Sequence, residues 1–130
     1  MKILILIGGG RSGIDLLQSL FDQHTQISQF PGVFNWSEFY RSIKGQKSKN
    51  IAKTFTKKYE LFFDSRKNKR ERHNKLGTKK NEFYKINKKK FINAFENFLE
   101  RKELNKKNIL LNLHLAYSHA SKEDLKKKKL

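Results

Sequence analysis

The chain opens with the stretch Ile3-Leu4-Ile5-Leu6-Ile7-Gly8-Gly9-Gly10-Arg11-Ser12-Gly13. Five consecutive apolar residues that end in glycines predict a buried strand over about residues 2–7, followed by a tight turn. Backbone N–H groups and the positive end of a helix dipole converge after such a turn, and glycines let an anion approach the backbone. The opening therefore predicts a loop that binds phosphate or sulfate, with Arg11 as a fixed positive charge.

A helix, a second strand and a turn complete the predicted N-terminal part. Ile14, Leu17, Leu20 and Phe21 recur at helical spacing, which predicts one core-facing stripe. Ile27-Ser28-Gln29-Phe30 then alternates as a short strand would, before a Pro-Gly turn. Residues 1–36 are therefore interpreted as a strand, an anion-binding loop, a helix, a strand and a turn.

Residues 37–130 are predicted to be mainly helical, because their apolar residues fall into three stripes at helical spacing. The stripes are Ile51, Phe55, Tyr59, Phe62 and Phe63; Phe91, Phe95, Phe98 and Leu99; and Ile109, Leu113, Ala116 and Tyr117. Residues 66–81 lie between the first two stripes, carry many charges and have almost no apolar side chain. They are predicted to form an exposed basic connection.

These patterns predict an α/β fold. It is the N-terminal part of a P-loop-like, three-layer parallel-sheet fold (strand, phosphate loop, helix), followed by the mainly helical segment. A buried parallel strand needs neighbours on both sides, and residues 1–130 supply only one strong candidate. The 130 residues are therefore expected to be a single partial domain of a longer protein.

The chain is strongly basic, with 30 lysine and arginine residues against 12 acidic residues and a net charge of +18. Such an excess suggests a polyanionic partner. However, 24 of the basic residues are lysines, accompanied by 11 asparagines and 10 isoleucines, a bias typical of AT-rich genomes. Aromatic residues next to lysine, as in Phe83-Tyr84-Lys85, could stack on single-stranded bases. A basic nucleic-acid-binding protein therefore stays open as an alternative.

The sequence does not support a disulfide, a metal site, a signal peptide or a membrane span. The absence of cysteine excludes disulfides and thiolate metal sites, and the four histidines lack paired ligand spacing, so no metal is expected. The apolar run at residues 3–7 is too short for a signal peptide or a membrane span. A cytoplasmic protein without a transmembrane segment is the expectation.

Two common nucleotide-binding loops fit the glycine-rich stretch poorly. Gly8, Gly10 and Gly13 have dinucleotide-fingerprint spacing, but Pro31-Gly32 stands where that fingerprint expects an acidic residue. Nucleotide hydrolases need lysine and then serine or threonine after the last glycine, whereas Ile14-Asp15 follows Gly13. Another nucleotide-binding P-loop protein is kept as a second alternative.

Residues 3–34 resemble the N-terminus of bacterial sulfotransferases of the protein-tyrosine and carbohydrate type. Members of that family read Gly-x-x-Arg-Ser-Gly-Thr-Thr-Leu-Leu and then Leu-x-Asp-x-His-Pro. This chain reads Gly8-Gly9-Gly10-Arg11-Ser12-Gly13-Ile14-Asp15-Leu16-Leu17 and then Leu20-Phe21-Asp22-Gln23-His24. The resemblance implies transfer of a sulfuryl group from 3′-phosphoadenosine 5′-phosphosulfate to a hydroxyl acceptor, without a metal.

The same resemblance implies a set of donor-binding positions. They are Gly10, Arg11, Ser12, Gly13, Ile14 and Asp15. In the family the loop wraps the 5′-phosphate, and its basic residue, here Arg11, neutralises the oxygen that bridges phosphate and sulfate. Ile14 and Asp15 occupy the positions of two family threonines.

The resemblance also implies a catalytic base after the second strand, where the first acidic residue of this chain is Glu38. The family region that grips the 3′-phosphate lies beyond position 130. The chain alone is therefore not expected to be a competent enzyme.

Overall fold

The protein is described by a computed structural model, which covers residues 5–6, 8, 13–21, 24, 27–67 and 83–121, with only the backbone of Asp15. The described residues form five α-helices and two short 3-10 turns. The helices are α1 (Ile14–Leu20), α2 (Trp36–Ile43), α3 (Ser48–Lys58), α4 (Lys88–Leu99) and α5 (Lys106–Ala120). The 3-10 turns are Glu60–Phe62 and Ser65–Lys67.

Three of the helices begin at an asparagine that caps the first turn. The side chains of Asn35, Asn87 and Asn105 each accept a hydrogen bond from the backbone N–H three residues later, over 2.9–3.1 Å. Asparagine is a favoured N-cap residue because it satisfies one of the free N–H groups of the first turn. These contacts fix the starting points of α2, α4 and α5.

The core is a cluster of aromatic side chains enclosed by α2, α3, α4 and α5. Its largest fully buried members are Phe39, Phe55, Phe62, Phe63, Phe91 and Phe95. Phe55 on α3 lies at its centre, with its ring 5.3 Å from that of Phe91 and 5.5 Å from that of Phe39. Rings at such distances add packing energy beyond their buried area. Helices α4 and α5 pack side by side, and α3 packs against α4.

A backbone pairing joins the two sides of the basic connection. Asp64 and Lys85 form an isolated antiparallel bridge, flanked by Ser65 N–H donating to the Tyr84 carbonyl at 3.2 Å. Ile86 N–H donates to the Phe63 carbonyl at 2.7 Å. Residues 63–65 and 84–86 are therefore held together. Of the predicted exposed connection, only residues 66 and 67 lie within the described part, and both are exposed.

The predicted α/β parallel-sheet fold is wrong, because the described residues are mostly helical and contain no β-strand. Of the first predicted strand, Ile5 and Leu6 are described; neither is in a strand, and Ile5 is 57% exposed rather than buried. Residues 27–30 are also not in a strand. Side chains from two helices contact them: Gln18 Nε2 donates to the Phe30 carbonyl at 2.9 Å, and the hydroxyls of Ser28 and Ser118 are hydrogen-bonded.

We predict that Phe55→Ala lowers the free energy of unfolding by about 3–5 kcal/mol, because it leaves a cavity at the centre of the aromatic cluster. Chemical denaturation followed by circular dichroism measures this change. Phe83→Ala is the matched control, since Phe83 is 54% exposed and is contacted on one face by the Arg66 guanidinium, 4.4 Å from the ring centre. The control should cost about 1 kcal/mol or less. Equal losses in the two variants would contradict the placement of Phe55.

Candidate functional site

The structure describes only part of the predicted donor-binding loop. Gly10, Arg11 and Ser12 lie outside the described residues. Gly13 directly precedes α1 with φ +75°, a left-handed conformation that strains any residue with a side chain. A Cβ placed there would meet nothing within 4 Å, so the need for glycine at this position comes from the backbone conformation.

The two residues at the positions of two threonines in the sulfotransferases that the sequence resembles open α1. Ile14 is half-buried and lines a pocket beside the helix. Asp15 lies in the first turn of α1, and its side chain lies outside the described atoms. The predicted loop therefore leads, through Gly13, to the wall of this pocket.

Glu38, the candidate base, lies on the exposed surface of α2. Its carboxylate is 2.6 Å from Lys58 Nζ, and the hydrogen bond and positive charge of Lys58 lower the pKa of Glu38. A lowered pKa makes the carboxylate a weaker proton acceptor. Glu38 is not among the residues that line the pocket beside α1. The structure therefore does not bring Glu38 together with Gly13 and Ile14.

The pocket lies between α1, residues 27–34 and α5, and is called here the α1–α5 pocket; its volume is about 200 Å³. Most of its walls are apolar, and the polar contributions come from glutamine, serine and histidine. The lining residues are Ile5, Leu6, Ile14, Gln18, Phe21, Ile27, Ser28, Gln29, Phe30, Gly32, Val33, Phe34, Trp36, Leu110 and His114. None of these lining residues is a lysine, an arginine, an aspartate or a glutamate.

Two glutamines hold the pocket wall on α1 to the following segment. Gln18 Nε2 donates to the Phe30 carbonyl at 2.9 Å, and Gln29 Nε2 donates to the Gln18 carbonyl at 3.2 Å. Each bond pairs a side-chain amide with a backbone carbonyl of the other segment. They therefore fix the distance between α1 and the residues that cross beneath it.

Among the described lining residues, His114 of α5 provides the one imidazole. Its ring stacks on that of Phe30, with ring centres 4.0 Å apart and planes inclined by 26°. Burial lowers the pKa of His114 to about 4, because the charged form would lose hydration. The imidazole is therefore neutral at pH 7. A neutral imidazole offers one hydrogen-bond donor and one acceptor.

Sequence reasoning missed both His114 and Gln18 as pocket residues. The predicted stripe on α5 contained Ile109, Leu113, Ala116 and Tyr117, whereas Leu110 and His114 form a neighbouring line at i, i+4 spacing. That spacing places both on one helix face. This spacing was the sequence signal that could have placed His114 beside Leu110, but it does not identify the residues that pack against that helix face.

Within residues 27–67 and 83–121, the aromatic residues suggested for base stacking already have contacts. The Tyr84 hydroxyl donates to the Leu61 carbonyl at 3.0 Å, and Phe83 lies under Arg66. In the part of the chain that the structure covers, no three His, Cys, Asp or Glu residues are grouped to hold a metal ion. Nor does any helix among the described residues have the length and apolar character needed to cross a membrane.

Comparisons of the chain with protein-family models, with curated proteins and with solved structures gave no match.

We predict that His114 makes the protein less stable in acid. An unfolded histidine binds its proton near pH 6.5, whereas folded His114 does so only near pH 4. The unfolded state therefore binds more protons between these values, and the free energy of unfolding falls as pH falls through this window. The full loss is on the order of 3 kcal/mol, from the free energy of about 1.4 kcal/mol per pKa unit.

Denaturant unfolding at a series of pH values between 7 and 4 measures this loss, with His114→Phe removing its contribution. His119→Gln is the control, since His119 lies on the exposed side of the same helix. The control should keep the wild-type dependence. The assignment is wrong if His114→Phe loses as much stability as the wild type between pH 6.5 and 4.

Proposed function

We propose that residues 10–15 bind the 5′ end of 3′-phosphoadenosine 5′-phosphosulfate and that the chain belongs to a protein that transfers the sulfuryl group to a hydroxyl acceptor. The observation that carries the proposal is the continuity of the Gly-Gly-Gly-Arg-Ser-Gly sequence, through the left-handed Gly13, with Ile14 at the pocket wall. A donor held by the loop would thus have its reactive end beside the α1–α5 pocket.

The proposed role of Arg11 follows from the charge changes of sulfuryl transfer. The acceptor oxygen forms a bond to sulfur, while the bond from sulfur to the bridging oxygen breaks and leaves an additional negative charge on the 5′-phosphate. A guanidinium next to that oxygen stabilises this charge more strongly in the transition state than in the ground state. The same logic applies to phosphoryl transfer, which depends on positioning and electrostatic stabilisation.

The acceptor proton requires a base. Glu38, the candidate that the resemblance implies, does not line the α1–α5 pocket, so in this proposal it serves only an acceptor hydroxyl that lies outside the pocket, on the surface of α2. Its ion pair with Lys58 is exposed, with 53% of the Glu38 side chain and 33% of the Lys58 side chain accessible to solvent. Such exposed pairs contribute little to stability, so they break easily when a partner binds. Release from Lys58 would raise the pKa of Glu38 toward its ordinary value and make it a better proton acceptor.

Binding of a polyanion through general charge remains the second candidate, and the observation that favours it is the net charge of +18. Lysines 49, 53 and 57 on α3 are all exposed or half-buried at the surface, as are lysines 88 to 90 at the start of α4. Such binding weakens steeply with salt, because each contacted phosphate releases counterions. The two candidates therefore differ in salt dependence and in their need for Arg11.

We predict that 3′-phosphoadenosine 5′-phosphate binds the chain in calorimetric titration and that Arg11→Ala weakens binding by about tenfold to a hundredfold. That range corresponds to the loss of one charge-assisted hydrogen bond. Arg41→Ala is the matched control, because Arg41 lies on the exposed surface of α2 and outside the loop. It removes the same charge and should leave the affinity unchanged.

Two results would overturn the donor-binding proposal. One is the absence of nucleotide binding. The other is an equal effect of Arg11→Ala and Arg41→Ala together with a steep salt dependence, which would favour general polyanion binding.

A further inference from the structure

The size of the α1–α5 pocket limits what it can hold. Its volume is about 200 Å³, and its walls include the rings of Phe21, Phe34 and Trp36 together with aliphatic side chains. Apolar cavities of about 150 Å³ accommodate a benzene molecule. The α1–α5 pocket therefore has room for a compact molecule of one or two rings, and its aromatic and aliphatic walls favour an apolar one.

One polar group in the pocket wall has no partner within the described part of the chain. The His114 imidazole stacks on Phe30 but makes no hydrogen bond to any described residue, whereas the Gln18 amide donates to the Phe30 carbonyl. A desolvated donor or acceptor without a partner is costly, and native proteins rarely leave one so. A ligand that hydrogen-bonds to the imidazole would remove this cost.

The absence of charge on the described lining residues selects against ionic ligands. No lysine, arginine, aspartate or glutamate is among them, and burial keeps the imidazole neutral at pH 7. An anion or cation would lose hydration on entry without meeting an opposite charge. The described lining residues therefore favour a neutral ligand with few polar atoms.

We propose that the α1–α5 pocket binds a small neutral ring compound, one or two rings in size, whose single N–H or O–H group forms a hydrogen bond with the His114 imidazole. The volume of the pocket, its apolar walls and the position of the unpartnered imidazole support this assignment. This site is distinct from the donor-binding loop and does not depend on the sulfuryl-transfer proposal, since none of these observations involves Gly10, Arg11 or Ser12.

The test compares two matched probes, indole and indene, in the full 130-residue chain at pH 7. They have nearly the same shape, but only indole has an N–H group, which the unprotonated imidazole nitrogen can accept. Calorimetry should show saturable binding of both, with indole about threefold to tenfold tighter, as expected for one net hydrogen bond. Indole-3-carboxylate, which adds a negative charge, should bind at least tenfold more weakly than indole.

Two further measurements connect the binding to His114. In the wild-type chain, the imidazole NMR signals of His114 should shift on saturation with indole. His114→Phe keeps a ring of similar size, so it should bind indene as before and lose the preference for indole. His119→Gln, on the exposed side of the same helix, should retain that preference.

The wild-type signals make the proposal testable even if His114→Phe fails to fold. Failure of indole to bind saturably, equal affinities for indole and indene in the wild type, or unchanged His114 signals would each overturn the proposal. Loss of nucleotide binding in Arg11→Ala would leave these results unaffected, so the two proposals can fail separately.

Discussion

The burial of Phe30 among the rings of the helical body joins the N-terminal segment to the rest of the structure. Phe30 is 3% exposed, and its ring lies 5.3 Å from Phe55 on α3 and 5.1 Å from Tyr117 on α5. The same ring supports the imidazole of His114. The position of residues 27–34, the placement of α1 above them and the desolvation of His114 therefore all depend on the packing of one side chain. A large buried aromatic is suited to this role because its area contributes several kcal/mol while it loses few rotamers.

The helical body could be predicted from the sequence because its signal is local. Phe55, Phe91 and Leu113 each belong to an apolar stripe at helical spacing, and each is fully buried on α3, α4 and α5. The helix starts could also have been predicted, since asparagines 35, 87 and 105 each precede a helix and cap it. Spacing alone extended the first stripe too far as a helix, because Phe62 and Phe63 lie in and after a 3-10 turn beyond Tyr59.

The prediction of a sheet was wrong because alternation of apolar and polar residues indicates an extended backbone but does not identify what that backbone packs against. Ser28 and Phe30 are buried while Ile27 and Gln29 are only half-buried, which is the period-two pattern of a strand. Among the described contacts, Phe30 accepts a hydrogen bond from a glutamine side chain on α1, and Ser28 is hydrogen-bonded to a serine on α5, 90 residues later in the sequence. The pocket was missed for a related reason. His114 becomes a lining residue only because Phe30 packs against it, and that contact spans most of the chain.

The antiparallel bridge between Asp64 and Lys85 affects how many residues the chain can carry between these two positions. It clamps the chain on both sides of residues 68–82, so the helical body is held together independently of how many residues join the two clamped ends. The entropy of closing such a connection grows only with the logarithm of its length, by about 0.6 kcal/mol for each doubling. Longer sequences inserted between the two paired ends should therefore leave the aromatic core and the pocket intact.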